Sequence, residues 1–378
     1  MDGRTTGAFA PGLEGVVATR TRLSMVDGEA GRLVIAGFPV EGLAGRASFE
    51  ETLYLLWNDA LPDAGQLAGL KGDLAARRAL PGITEAVVRG AAAGGVPAMD
   101  ALRMAAGTLG SRNGDDRGDA LRAVAAFPTI VAAHRRLSRG EEPVEPDGEL
   151  SHAANYLYML SGEVPSDERA RALEAYLVAA SDHGMNASTF AARVIVSTRS
   201  DVVSAVTGAV GALKGPLHGG APGPALDVVF EIGEAERAEA VLRAKLERGE
   251  RLMGFGHRVY KARDPRADVL GAAAERLYDA DADGDLYRLA IAVEQTAVRL
   301  LEEYKPGRNL HTNVEFYTAL LLHGLGLPTE LFTPTFTASR VAGWTAHCFE
   351  QRELDRIIRP QSEYVGAEDR AWVPLGER

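Results

Sequence analysis

The chain has 378 residues, 46% of them apolar, a formal net charge of −11 and one cysteine, Cys348. That length and apolar content can fill the core of one large domain or two ordinary ones, and a single cysteine excludes an internal disulfide framework and a cysteine-based zinc site. Net negative charge, with arginines scattered along the chain, speaks against a nucleic-acid or anionic-membrane footprint.

No run of about eighteen apolar residues occurs, so no membrane span is expected. Met1 to Pro11 lacks an apolar leader, which together with the lone cysteine makes a reducing cytoplasm the expected compartment. From Val16 to Val40, β-rich runs flank Asp27-Gly28 and predict a small hairpin. Ser48-Phe49-Glu50-Glu51 is a capping-box pattern that opens an apolar-periodic helix through Trp57. Gly140 to Gly148 reads as a surface loop. Helical periodicity recurs at Arg169 to Ala180, Val202 to Leu213, Glu236 to Leu246, Arg266 to Tyr278, Leu286 to Leu301 and Ser339 to Phe349. The class is therefore all-α. Glycine-rich loops begin at Gly215 and Gly254 with helices between and after them, which predicts a small helical domain over 215–322 on a large helical domain built from 1–214 and 323–378.

The two loops hold the chemistry. His218 lies in Lys214-Gly215-Pro216-Leu217-His218-Gly219-Gly220, and His257 in Gly254-Phe255-Gly256-His257-Arg258-Val259-Tyr260-Lys261. Glycine lets a backbone approach a ligand closely, so a histidine set among glycines is placed for contact with a small molecule. With a carboxylate from Asn313-Val314-Glu315-Phe316, such a set can remove a proton next to a carbonyl, donate to the enolate oxygen and polarise an acceptor carbonyl. That combination makes a carbon–carbon bond.

These stretches, together with Asp264-Pro265-Arg266, Phe332-Thr333-Pro334, Ser339-Arg340, Gly343-Trp344 and Ile358-Arg359-Pro360, resemble the citrate synthase family in family order. The resemblance implies a helical homodimer whose small domain closes over oxaloacetate and acetyl-CoA, with no permanently bound cofactor, in the tricarboxylic acid cycle. It implies that His218 stabilises the enol of acetyl-CoA, that His257 polarises the oxaloacetate carbonyl and that Glu315 is the base. His183, Arg266 and Arg340 would bind oxaloacetate, with Arg359 reaching in from the other subunit; guanidinium forks suit carboxylates at fixed spacing. Phe255, Gly256 and Lys261 would contact CoA.

Two departures stand out. The family base is normally aspartate, whereas here it is Glu315, and Pro222-Gly223-Pro224 replaces the usual asparagine after His-Gly-Gly-Ala. A carboxylate displaced by about 1 Å can cost on the order of a hundredfold in rate unless the backbone compensates. One alternative is therefore a binding or regulatory dimer with little turnover. Another is a 2-methylcitrate synthase using propionyl-CoA, since one methylene changes pocket binding by only about 1–3 kcal/mol. Gly254-Phe255-Gly256 lacks the third glycine of a dinucleotide fingerprint, and His218, His257 and Glu315 lack the close spacing of a metal site, so no metal is expected. His134, His152, His311, His323 and His347 are read as structural or surface histidines.

Overall fold

Local sequence signals start the helices where they should. Ser48 Oγ accepts from the Glu51 amide, while the Glu51 carboxylate takes the Ser48 N–H at 2.7 Å, so the capping box closes as read. The computed structural model describes residues 9–110, 114–219, 223–256, 260, 262–281 and 284–378.

Among the described residues the α-helices are, in chain order, α1 Val40–Leu43, α2 Phe49–Asn58, α3 Ala64–Ala75, α4 Gly82–Ala93, α5 Ala98–Ala106 and α6 Asp116–Leu137. They continue with α7 His152–Ser161, α8 Asp167–Ala180, α9 Ala187–Ser197, α10 Val202–Leu213 and α11 Gly223–Ile232. The last five are α12 Ala238–Glu247, α13 Pro265–Asp281, α14 Gly284–Tyr304, α15 Val314–Gly324 and α16 Phe332–Leu354. The expected all-α class holds.

Among the described residues the strands form one small antiparallel meander, β1 Ser24–Asp27, β2 Arg32–Ile35 and β3 Phe38–Pro39, in the order β1-β2-β3. Asp27 pairs with Arg32 around the expected turn, and β3 adds a short edge that the hairpin reading did not include. Gly31 at φ +61° closes the turn; a Cβ there would meet the Arg263 carbonyl at 2.9 Å, so the meander lies directly against the segment that leads into α13.

Two long helices form the centre. α6 and α16 pack on each other, and both are buried along most of their length because they are apolar or small-residue on nearly every face. For the same reason α6 gives no clear 3.6-residue stripe, and its sequence does not announce it. α16 starts at Phe332, seven residues ahead of the expected Ser339, since Pro334 sits in the first turn where a missing N–H costs nothing. No described helix is long and apolar enough to cross a membrane.

Candidate active site

The chain leaves α8 at Ala180 and reverses at Gly184, φ +59°, which carries His183 outward between buried Asp182 and the start of α9. His183 Nε2 lies 3.1 Å from the Tyr260 hydroxyl, ahead of α13. Arg340 reaches the same turn from α16, its Nε donating to the Ala180 carbonyl at 2.7 Å.

Arg340 and Arg266 are both buried, and the charge of Arg266 bears on Arg340. Asp264 grips Arg266 through Nε at 3.0 Å and Nη2 at 2.7 Å, a bidentate pair. Burial works against the Arg266 cation, and Asp264, joined by Tyr260 and Glu315, more than offsets it. Arg340 has no such partner: among the described residues its guanidinium makes one hydrogen bond, to a neutral carbonyl. Burial, with Arg266 adding to it and Asp182 opposing, draws its pKa down to about 10. Two buried cations with one dedicated carboxylate between them form a site for an anion.

His218 follows a tight turn after α10, in which Gly219 passes so close to the Leu213 carbonyl that a side chain there would clash at 2.6 Å. Thr333 Oγ1 holds the Gly219 carbonyl at 2.9 Å from the head of α16. His218 Nε2 lies 2.8 Å from Ser188 Oγ and 3.3 Å from the Ser188 amide. A backbone N–H can only donate, so Nε2 is bare and the ring proton of the neutral imidazole sits on Nδ1. Trp344 Nε1 donates to Ser188 Oγ at 3.1 Å and fixes that partner. Burial, and then Arg340, push the His218 pKa down to about 4, so the imidazole is neutral at pH 7.

Glu315 stands in the first turn of α15, where Asn313 caps the helix by accepting the Glu315 amide at 2.9 Å. Residues 254–256 are tied to 311–313 by the Asn313 amide to Gly254 O at 2.9 Å, Gly256 N to His311 O at 2.7 Å, and Asn313 Nδ2 to Gly256 O at 2.8 Å. Gly254 and Gly256 have φ near +88° and +77°, and a Cβ at Gly256 would press on Leu310 at 2.9 Å, so both glycines are required here. Phe255 is buried against Phe316. The loop that leads to His257 is thus clamped to the helix that carries Glu315. Burial raises the Glu315 pKa, with Arg266 opposing and Asp264 assisting.

The whole length between these groups corresponds to one known pattern: a family model described as citrate synthase, C-terminal domain, matches residues 12–361. The chain belongs to the citrate synthase family. It is 42% identical to the citrate synthase of Haloferax volcanii, with 99% of this chain and 100% of that one covered. A 2-methylcitrate synthase of Shewanella oneidensis is 39% identical, with 99% of each covered. Its fold superposes on the citrate synthase of Pyrobaculum aerophilum with a TM-score of 0.90 at 38% identity, over 97% and 95% of the two chains. A ternary complex of carboxymethyl coenzyme A and oxaloacetate with the Thermoplasma acidophilum citrate synthase matches with a TM-score of 0.87 at 30% identity, over 99% and 100%.

Of the residues expected from the citrate synthase pattern, His183, His218, Arg266, Glu315 and Arg340 are linked by hydrogen bonds, shared neighbours and mutual fields around one region, with Phe255 and Gly256 at its edge. His257 and Lys261 lie outside the described residues. Arg359 is exposed and lines an open cleft with Val16, Thr19 and Ile358, and among the described residues no contact joins it to the others. Sequence reading missed Ser188 and Tyr260, whose roles rest on contacts 30 and 77 residues away along the chain. No group of three His, Cys, Asp or Glu among the described residues is placed to hold a metal.

Proposed function

We propose that the protein condenses acetyl-CoA with oxaloacetate and hydrolyses the resulting thioester to citrate and CoA. The observation that carries this reading is the pair of buried guanidinium groups, Arg266 and Arg340, beside a neutral imidazole and a carboxylate. Two cations suit a dicarboxylate, and a base next to a hydrogen-bond donor suits enolisation.

In this mechanism Glu315 takes a proton from the acetyl methyl while His218 Nδ1–H donates to the thioester oxygen as it gains enolate charge. The new carbon–carbon bond forms to the keto carbon of oxaloacetate, whose oxygen is polarised by His257 and takes up a proton. Water then cleaves the thioester, and the sulfur leaves as the thiol of CoA. Arg266, Arg340 and His183 hold oxaloacetate, with Arg359 contributed by the partner subunit of a homodimer. The exposure of Val17, Val365 and Trp372, each more than three-quarters exposed in the single chain, supports such a partner. Phe255, Gly256 and Lys261 contact CoA.

Residues 215–322 act as the small domain, closing on a body formed by 1–214 and 323–378 in the cytoplasm. In support, the groups are divided between the two parts: His183 and Arg340 stand on the body, whereas His218, Arg266 and Glu315 stand on the smaller unit. Release of free thiol by the purified protein from acetyl-CoA, strictly dependent on oxaloacetate, tests the reading. Faster release from propionyl-CoA would reassign the acyl substrate, and release from neither would reject the synthase.

A further inference from the structure

Behind the oxaloacetate region runs a line of buried polar groups, Asp182, His347 and Arg193, that no step of the mechanism uses. Arg340, Gly343 and His347 recur at i, i+3 and i+7 on α16 and so share one face, which packs on residues 180–182. Gly343 N–H donates to the Ser181 carbonyl at 3.2 Å, and the contact is so close that a side chain at 343 would strike Ser181 and Asp182.

Asp182, His347 and Arg193 are all 0% exposed. Arg193 Nη1 lies 2.9 Å from His347 Nδ1, and since a guanidinium only donates, Nδ1 must be the acceptor. The His347 ring proton is therefore on Nε2, which lies 3.2 and 3.3 Å from the two Asp182 oxygens and donates to that carboxylate. Arg193 is itself fixed by Glu350 at 2.5 Å, Gln351 at 3.0 Å and Thr19 at 3.1 Å. On the other side of Asp182, Ser24 Oγ donates at 2.5 Å and accepts the Gly184 amide at 2.7 Å. The turn that carries His183 is pinned at 182 by His347 and Ser24, and at 184 by Ser24 again.

We infer that His347 is a positioning residue for the oxaloacetate site: its single tautomer, set by Arg193, holds Asp182 and thereby the turn that aims His183 and offers the Ala180 carbonyl to Arg340. The inference rests on the synthase reading for its substrate. It predicts an effect on one substrate and not on the other, because nothing in the relay touches the Phe255–Gly256 side of the site. Histidine is needed at 347 because the position must accept from a cation and donate to an anion at the same time; glutamine can do both, and leucine neither.

The test compares the wild type with His347→Leu, His347→Gln and Ser24→Ala in the full-length protein, reading KM for oxaloacetate, KM for acetyl-CoA and the rise in melting temperature that oxaloacetate produces. His347→Leu should raise the oxaloacetate KM at least about tenfold, as expected for losing a buried hydrogen bond to a charged group, with the acetyl-CoA KM within about threefold of wild type. His347→Gln should recover most of the loss. Ser24→Ala, at a half-buried position, should reproduce the oxaloacetate-specific effect if His347→Leu does not fold. The relay is overturned if the two KM values move together, if the oxaloacetate KM stays at the wild-type value in the folded variants, or if glutamine is no better than leucine. A wild type that neither releases thiol nor is stabilised by oxaloacetate rejects the synthase reading and the relay with it; stabilisation without turnover rejects the synthase alone, and the relay is then read from the melting-temperature shift.

Discussion

Arg266 and Arg340 are 5% and 1% exposed, and the charge of Arg266 adds to burial in depressing the pKa of Arg340. Ligand-free protein therefore holds two like charges out of water with one carboxylate, Asp264, clasped to only one of them. Such an arrangement costs stability as long as no anion sits beside the two cations. Arg340→Met should raise the melting temperature of the ligand-free protein by a few degrees and abolish the further rise caused by oxaloacetate. Calorimetric scans with and without oxaloacetate check both halves, and a lower ligand-free melting temperature would mean that the Ala180 hydrogen bond outweighs the repulsion.

The Ser188 amide donates to Nε2 of His218, keeping the ring proton on Nδ1, and the Ser188 hydroxyl lies 2.8 Å from the same nitrogen. Ser188→Ala removes the hydroxyl and leaves the amide, so the tautomer survives while the ring loses its closer support. Turnover should fall roughly tenfold to a hundredfold, with oxaloacetate KM little changed. Steady-state kinetics with both substrates varied separate the two.

Glu315 has one methylene more than the aspartate usual in the family, but the same charge and a similar intrinsic pKa. The loop of Gly254–Gly256 is hydrogen-bonded to the residues just ahead of the Glu315 helix, so a shift of that shared backbone can absorb the longer arm. Glu315→Asp should lower kcat, and Glu315→Gln should nearly abolish it while oxaloacetate still stabilises the protein. A Glu315→Asp variant that gains turnover by orders of magnitude over a near-inactive wild type would mark a catalytically impaired relative.

Arg359→Ala and His257→Ala chains, each inactive alone, should regain part of the activity when mixed and allowed to exchange subunits, because some mixed dimers hold one intact site. Mixed dimers that form and stay inactive would place Arg359 outside the partner's site.

Away from the site, burial, with Glu50 assisting, raises the Glu174 pKa from an ordinary 4.5 to about 7, while the Phe49 amide and Lys71 oppose the shift. The raised value means that the fold favours the protonated acid, so its stabilising contribution is complete below pH 4.5 and is lost as pH climbs through 7. Glu174→Gln, which keeps an acceptor for the Phe49 amide, should be more stable than wild type at pH 8 by on the order of 1–3 kcal/mol and should lose that advantage at pH 5. Urea titrations at the two pH values give the difference directly.

Legibility from the sequence followed the range of the interaction. The Ser48 capping box, the helix from Val202 to Leu213 and the turn after Asp27 were readable because each depends on neighbours within a few residues, and the structure has all three. The glycine loops around His218 and Gly254 were readable too, since close backbone approach leaves glycine as its residue. α6 was not, because a helix buried on all sides has no polar face to give the pattern a period. His347 shows the limit most clearly: as a lone histidine it looked structural, and only tertiary packing sets it between Arg193, 154 residues away, and Asp182, 165 residues away. Residue types along the chain determined which chemistry was available. The tautomers of His218 and His347, and the unequal pairing of the two buried arginines, were decided by which donors and charges the fold brings within hydrogen-bond range, and that is a property of distances that no spacing in the sequence encodes.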